Sequence, residues 1–236
     1  MSKRSVEIRG MFSRISHRYD LLNRVLSLGQ DVLWRRAVAL KVERARPALA
    51  LDVCTGTGDV ALAFPPGVAT VASDFCLPML ARAAVKARAR GRSLPLFAGD
   101  ALRLPLGDAT VDVVTVAFGV RNFESLELGI GELVRVLRPG GSLFILEFSH
   151  PRGVFSPLLS WWTRTVPPRV GRWLSGDREA YSYLPASVET FPSAARVCDL
   201  LDHLGMEEVR GVPQTGGVAT LYEARKRASE MESGND

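Results

Sequence analysis

Long hydrophobic runs, cysteine pairs and clustered histidines are all scarce in this 236-residue chain, and each scarcity removes a class of function. No apolar run reaches the roughly 18 residues that a membrane-crossing helix needs. Residues Met1 to Arg9 lack the apolar stretch and small-residue cleavage site of a secretory signal. The expectation is a cytosolic protein that touches a membrane at most from its surface. Cys54, Cys76 and Cys198 are odd in number and widely spaced, with no pair at metal or redox spacing, which fits a reducing compartment and packing roles. His17, His150 and His203 lie far apart, so no metal site is expected. The formal charge of +5 would suit an anionic partner, but the arginines are scattered, so nucleic acid is not expected.

What is present is enough apolar content, 47%, to bury a full core in a chain of this length, and one domain over 1–236 is expected. Residues 6–46 show apolar side chains at mixed three and four spacing, which predicts a helical arm closed by Pro47. From 48 to 148, short apolar runs at 48–54, 68–74, 94–98, 111–118 and 142–148 alternate with helical stretches. These stretches start at Asp59, run from Pro78 through Arg90, and run from Glu124 through Leu137. Such alternation predicts a doubly wound α/β domain with a parallel sheet. Residues 149–191, with several prolines and three of the four tryptophans, break the rhythm and read as an insertion. A helix over Ser193 to Leu204 then leads to two strands, Met206–Val212 and Gly217–Arg225, which suit an antiparallel hairpin finishing the sheet. The polar tail over 227–236 is expected to fray.

The first strand ends at Asp52-Val53-Cys54, and Gly56-Thr57-Gly58 follows at once, where backbone can approach a ligand closely. Read alone, Gly56-x-Gly58-x-x-Ala61 also satisfies a dinucleotide fingerprint, with Asp74 as its ribose acid. Charge separates the two readings. A pyrophosphate wants free N–H groups and no anion nearby, whereas Asp52 and Asp59 bracket the glycines. Two carboxylates suit the ammonium and sulfonium of S-adenosylmethionine instead. Asp74, ending the second strand, can accept both hydroxyls of a ribose diol, or cap the helix that follows. Asp100-Ala101, after the third strand, can meet an adenine amino group and ring nitrogen, or form an ordinary turn. The recurrence of Asp52, Asp74 and Asp100 at successive strand ends carries more than any one of them.

The fourth strand should end facing the acceptor, which places Gly119-Val120-Arg121-Asn122 beside it. No Asn-Pro-Pro-aromatic run occurs there, against methylation of a base amine, and no Pro-Cys pair offers covalent attack on a pyrimidine. Arg121 and Asn122 suit an oxyanion and its neighbouring oxygen; Arg121 equally suits a structural ion pair. Tyr19, Asp20 and Asn23 are polar positions on the arm that either close over substrate or cap turns. Glu147-Phe148-Ser149-His150 ends the fifth strand and can border the acceptor pocket. In the insertion, Phe155, Trp161, Trp162 and Trp173 with Arg164, Arg169 and Arg172 suit an apolar substrate tunnel or a peripheral membrane contact, and equally core completion or a homodimer contact.

Several runs together resemble a known family. They are Met11-Phe12-Ser13-Arg14-Ile15-Ser16 leading to Tyr19-Asp20-Leu21-Leu22-Asn23, Asp52 through Asp59, Phe118-Gly119-Val120-Arg121-Asn122, Arg135-Val136-Leu137-Arg138-Pro139-Gly140-Gly141 and Tyr183-Leu184-Pro185. From about Val6 to Lys226 the chain is similar to the ubiquinone/menaquinone biosynthesis C-methyltransferases. That resemblance implies a class I, Rossmann-like methyltransferase fold with a seven-stranded, mostly parallel sheet. It also implies methylation at a ring carbon of a polyprenylated quinol, either demethylmenaquinol or the methoxy-benzoquinol precursor of ubiquinone. Residues matching Thr57, Asp74 and Asp100-Ala101 would be cofactor contacts, beside Asp52, Gly56 and Gly58 of the turn. Arg121 would stabilise a phenolate, and Asn122 and Tyr19 would orient the quinol oxygens. The chain departs from the family at Ala117, where some members carry a serine contact, and at Thr55 and Cys76. Rival readings are a methyltransferase for another small aromatic or lipid acceptor, a non-catalytic cofactor-binding subunit, and a NAD-dependent reductase.

Overall fold

Residues 3–17, 19–149 and 186–228 are described by the computed structural model of the chain. The tryptophan-bearing part of the expected insertion, His150, the Tyr183-Leu184-Pro185 run and the end of the tail lie outside the described residues. Seven strands are present among the described residues: β1 (Leu49–Val53), β2 (Ala69–Asp74), β3 (Leu96–Ala98), β4 (Val111–Ala117), β5 (Leu137–Phe148), β6 (Met206–Gln214) and β7 (Ala219–Lys226). They form one sheet in the order β3-β2-β1-β4-β5-β7-β6. The first five pair in parallel, and β7 is antiparallel to both β5 and β6. The hairpin expected from the last two apolar runs therefore does finish the sheet. Valine and threonine dominate β4, whose side chains are buried or nearly so along its length, as befits a central parallel strand covered on both faces.

Six helices accompany these strands among the described residues: α1 (Lys3–Ile15), α2 (Tyr19–Leu26), α3 (Gln30–Ala45), α4 (Leu77–Ala89), α5 (Leu126–Val136) and α6 (Ala194–His203), with a further helical turn over 186–190. The arm is thus three helices. Pro78 sits in the first turn of α4, where its missing N–H costs nothing. Ser125 and Ser193 cap α5 and α6 by accepting from the backbone N–H three residues on. On one face of the sheet, α5 and α6 bury Ile130, Leu133, Val197 and Leu201 against Leu51, Val114 and Ile145. On the other, α3 buries Trp34, Val38 and Val42 against Ala50, Val113 and Leu146. These two layers make the fold doubly wound.

Two local expectations need correction. No α-helix starts at Asp59. Gly58 donates back to Thr55 in a tight turn, and only a 3-10 turn over Ala61–Ala63 follows before Pro65 and Pro66 stop it. Nor does the fifth strand begin at 142: β5 starts at Leu137, directly after α5, takes Pro139-Gly140-Gly141 into itself and shifts register against β4 between Val111 and Val113.

Candidate cofactor and acceptor site

Strand order reverses between β1 and β4, and the cleft that opens beyond their carboxyl ends encloses about 850 Å³ of empty space, part of it open to solvent. The core supplies its floor through Val53, Cys54 and Gly56 after β1, Asp74 and Phe75 after β2, Gly99 to Leu102 after β3, and Ala117 to Gly119 with Asn122 to Glu124 after β4. The arm supplies Ile8, Phe12 and Tyr19. Phe12 and Tyr19 meet edge to face at 6.0 Å between centroids. Of the side chains singled out from sequence, Tyr19, Gly56, Asp74, Asp100, Ala101 and Asn122 come together on this lining. Asp52, Thr57, Gly58 and Arg121 do not.

Asp52 is a strut beneath the turn. Its oxygens accept from Thr55 Oγ1 and Thr115 Oγ1, both at 2.6 Å, and the residue is 1% exposed. Burial pushes its carboxyl up to about 6, against the pull of those hydrogen bonds. Its oxygens are thus taken up by the protein's own hydroxyls, and it stands behind the cleft wall, off the lining. Gly58 serves packing: at φ +83° a side chain would be strained, and a Cβ there would stand 3.1 Å from that of Ala83 in α4. Cys54 itself has φ +55° and Phe118 has φ +58°, so both strand ends adopt left-handed conformations where the cleft begins. Burial, with lesser help from Asp74, Asp52, Glu147 and Asp100, pushes the Cys54 thiol well up, so it stays neutral.

Asp59 also leaves the cofactor argument. Lys86 Nζ lies 2.6 Å from one of its oxygens and Arg35 Nη1 3.3 Å from the other, so its charge is compensated on the spot. Thr57 Oγ1 donates to Asp20 and accepts from Lys86. The acids that face the cleft are Asp74, Asp100 and Glu124, and among the described residues no lysine, arginine or histidine joins them on its lining. Asp74 accepts from Gly56 N and Cys76 N, both at 2.8 Å, which fixes the carboxylate while leaving lone pairs for a ligand. Burial raises its pKa. Asp100, exposed, accepts from Leu102 N at 3.0 Å in a tight turn that also presents Ala101.

Arg121 turns away from the cleft because a stronger partner holds it. Its Nη1 donates to Glu147 Oε1 at 2.8 Å and to the Phe118 carbonyl at 2.5 Å, and its guanidinium lies 5.4 Å from the centre of the Phe148 ring. Glu147 Oε2 also accepts from Arg121 N at 3.2 Å. This ion pair is the structural alternative weighed for Arg121, and it fixes the turn that carries Asn122 to the lining. Glu124, two residues on, escaped sequence reasoning; the available signal was a carboxylate just after an acceptor-side asparagine. Lys86 was missed too, since nothing in its helix sets it apart from other solvated lysines.

A model of the ubiE/COQ5 methyltransferase family matches residues 1–226. The chain is 47% identical over 217 residues to the demethylmenaquinone methyltransferase of Thermus thermophilus, covering 90% of this chain and 98% of that protein. It is 45% identical over 224 residues to the demethylmenaquinone methyltransferase of Deinococcus radiodurans, covering 93% and 92%. Among solved structures, a SAM-dependent methyltransferase from Thermotoga maritima superposes with a TM-score of 0.62 at 18% identity, over 92% of this chain and 99% of that one, a likeness of fold.

Proposed function

We infer the reaction from the premise that this chain belongs to the ubiE/COQ5 methyltransferase family: it is an S-adenosylmethionine-dependent C-methyltransferase that converts demethylmenaquinol to menaquinol in menaquinone biosynthesis. One observation of the site carries the cofactor assignment, namely a lining with three carboxylates and no basic side chain among the described residues. Such a lining attracts a sulfonium and an ammonium and repels a pyrophosphate. The names carried by the relatives at 47% and 45% identity favour the menaquinone branch, while a relative at 40% identity from Syntrophotalea carbinolica carries a name that covers the ubiquinone precursor as well.

When bound, the cofactor supplies an electrophilic methyl group, and the protein's task is to orient a ring carbon toward it and to accept a proton. Asp74 would hold the ribose diol, and Asp100 with the Ala101 backbone the adenine. On the acceptor side, Tyr19 and Asn122 would orient the quinol oxygens from opposite walls. Glu124, on the loop after β4, is our assignment for the group that takes the phenolic proton and so raises electron density at the adjacent ring carbon. Arg121 acts behind this wall. With Glu147 it keeps Phe118 and Asn122 in place, so most of the rate comes from positioning.

A prenylated acceptor partitions into lipid, so the protein should meet it at a bilayer surface. Exposed Leu21, Leu28 and Leu33 with Arg24 on the arm support a peripheral contact. No helix among the described residues is long and apolar enough to cross a membrane. Flotation with anionic liposomes should carry the protein upward, and a protein that stays at the bottom removes this contact. The reaction itself is tested by incubating the purified protein with labelled S-adenosylmethionine and demethylmenaquinol. Label on a ring carbon is expected; label on oxygen, or none, rejects the assignment.

A further inference from the structure

The arm closes the cleft, yet α2 has eight residues and is too short to persist as a helix by itself. Beside its packing on α3, the Phe12–Tyr19 contact and the Arg24–Asp31 ion pair, one carboxylate ties it to the glycine turn and α4. Asp20 Oδ1 accepts from Thr57 Oγ1 at 2.5 Å, and Asp20 Oδ2 lies 2.6 Å from Lys86 Nζ. Lys86 in turn donates to Thr57 Oγ1 at 2.9 Å and to Asp59 Oδ1 at 2.6 Å, and Asp59 meets Arg35, which pairs with Asp31 at 2.6 Å. Asp20 therefore joins three elements that are distant in sequence: the arm, the glycine turn and α4. Its chain neighbour Tyr19 reaches the cleft, with the ring carbon Cε1 3.9 Å from where a Cβ on Gly56 would stand.

We propose that Asp20 and Lys86 are positioning residues, a latch that holds Tyr19 and the arm closed over the bound cofactor and whose opening lets the spent cofactor leave. Neither side chain lines the cleft; both act through Tyr19 and Thr57. The ion pair is half-buried, with side chains 38% and 24% exposed, so water and salt reach it. A latch needs that access, since a fully buried pair would rarely open. The nearby charges leave Lys86 shared between Asp20 and Asp59, so release of Asp20 does not strand the ammonium without a counter-ion.

The latch rests on the cofactor reading only for its role in release, and the test separates the two. Asp20→Asn keeps an acceptor for Thr57 but removes the charge opposite Lys86. In the full chain without ligand, hydrogen exchange of amides over 19–26 should quicken about tenfold, while α5 and α6 keep their protection. Stopped-flow dissociation of S-adenosylhomocysteine should quicken by a similar factor. About 1 M KCl should bring wild type close to Asp20→Asn and leave the variant itself little changed. Asp20→Glu, which restores the charge, should recover most of both rates. Unchanged exchange over 19–26 in Asp20→Asn overturns the latch, as does a rise spread evenly over the whole chain. A wild type that does not bind S-adenosylhomocysteine rejects the cofactor reading, and the ligand-free exchange then still decides whether the latch exists.

Discussion

Glu147 Oε1 accepts from Arg121 Nη1 at 2.8 Å, with side chains that are 0% and 6% exposed, and so ties the end of β5 to the turn after β4. Glu147 also accepts from the backbone of Arg121 and of Phe148. Removing one partner leaves the other as a buried, uncompensated charge, which costs about 3–5 kcal/mol. Glu147→Ala and Arg121→Ala should each lose stability on that scale in urea unfolding. The double variant Glu147→Leu with Arg121→Met should regain much of it, because no charge is then stranded. Its turnover should stay low, since Asn122 loses the anchor that sets its turn. Full recovery of turnover would show that the pair stabilises without positioning.

Gly119 faces Cys54 across the same edge of the sheet. A Cβ at Gly119 would fall 2.6 Å from the Cys54 Cβ and 2.9 Å from its Sγ, closer than packed atoms tolerate. Gly119→Ala should therefore cost about 1–3 kcal/mol and weaken cofactor binding, because both residues line the cleft. Cys54→Gly in the same chain removes the two closest contacts and leaves only Val116 Cγ1, at 3.0 Å, to give way, and at φ +55° glycine fits the backbone better than cysteine does. Thermal unfolding of the two single variants and the double should show that rescue.

The sheet was readable from sequence because its runs of valine, leucine and threonine leave few other structures open: β1, β2, β4 and the closing hairpin fall within two residues or so of where periodicity puts them. What could not be read was which acids are already spent. Asp59 meets Lys86 from 27 residues away and Arg35 from 24 away, and Arg121 meets Glu147 from 26 away. Such partners are brought together by the crossovers, and spacing along a chain says nothing of them. The inference of a cationic cofactor from acids survives, but it moves from Asp52 and Asp59 to Asp74, Asp100 and Glu124. Asp52 shows why strand-end position alone is ambiguous. A carboxylate there can look outward at a ligand or inward at two hydroxyls, and Thr55 and Thr115 decide for the second.

Asp74 should prove the most sensitive cofactor contact. In Asp74→Asn one acceptor becomes a donor, so either Gly56 N or Cys76 N loses its partner and the diol loses its charged acceptor. Hydrogen bonds to charged groups are worth about 1.5–3 kcal/mol each, which predicts a rise in Kd for S-adenosylmethionine of about a hundredfold. Calorimetric titration measures it directly. A change under about threefold would remove Asp74 from the cofactor site.

Asp52 gives the protein a pH dependence opposite in sign to that of a salt-bridged acid. Burial lifts its carboxyl from an ordinary 3.8 to about 6, so the folded chain holds this proton more tightly than the unfolded one. The stabilisation that results is complete below about pH 4 and is lost as pH rises through about 6, for a total of about 3 kcal/mol. Asp112 and Glu132 work the other way. Backbone N–H groups with Arg138 hold Asp112 down, and Arg135 holds Glu132 down, so their contributions are lost as pH falls. The net curve of the wild type therefore hides the Asp52 component. Asp52→Asn exposes it, since an amide does not titrate between pH 4 and 8. Its loss of an acceptor for Thr55 or Thr115 is a constant offset, whereas the wild-type carboxylate becomes costly only as it ionises. The stability of Asp52→Asn relative to wild type should thus improve by up to about 3 kcal/mol between pH 4 and 7 and level off above that. Urea titrations of both proteins at each pH give the difference. A difference that stays flat across the range would mean that Asp52 is already ionised at pH 4 and is held by Thr55 and Thr115 as a stabilised anion.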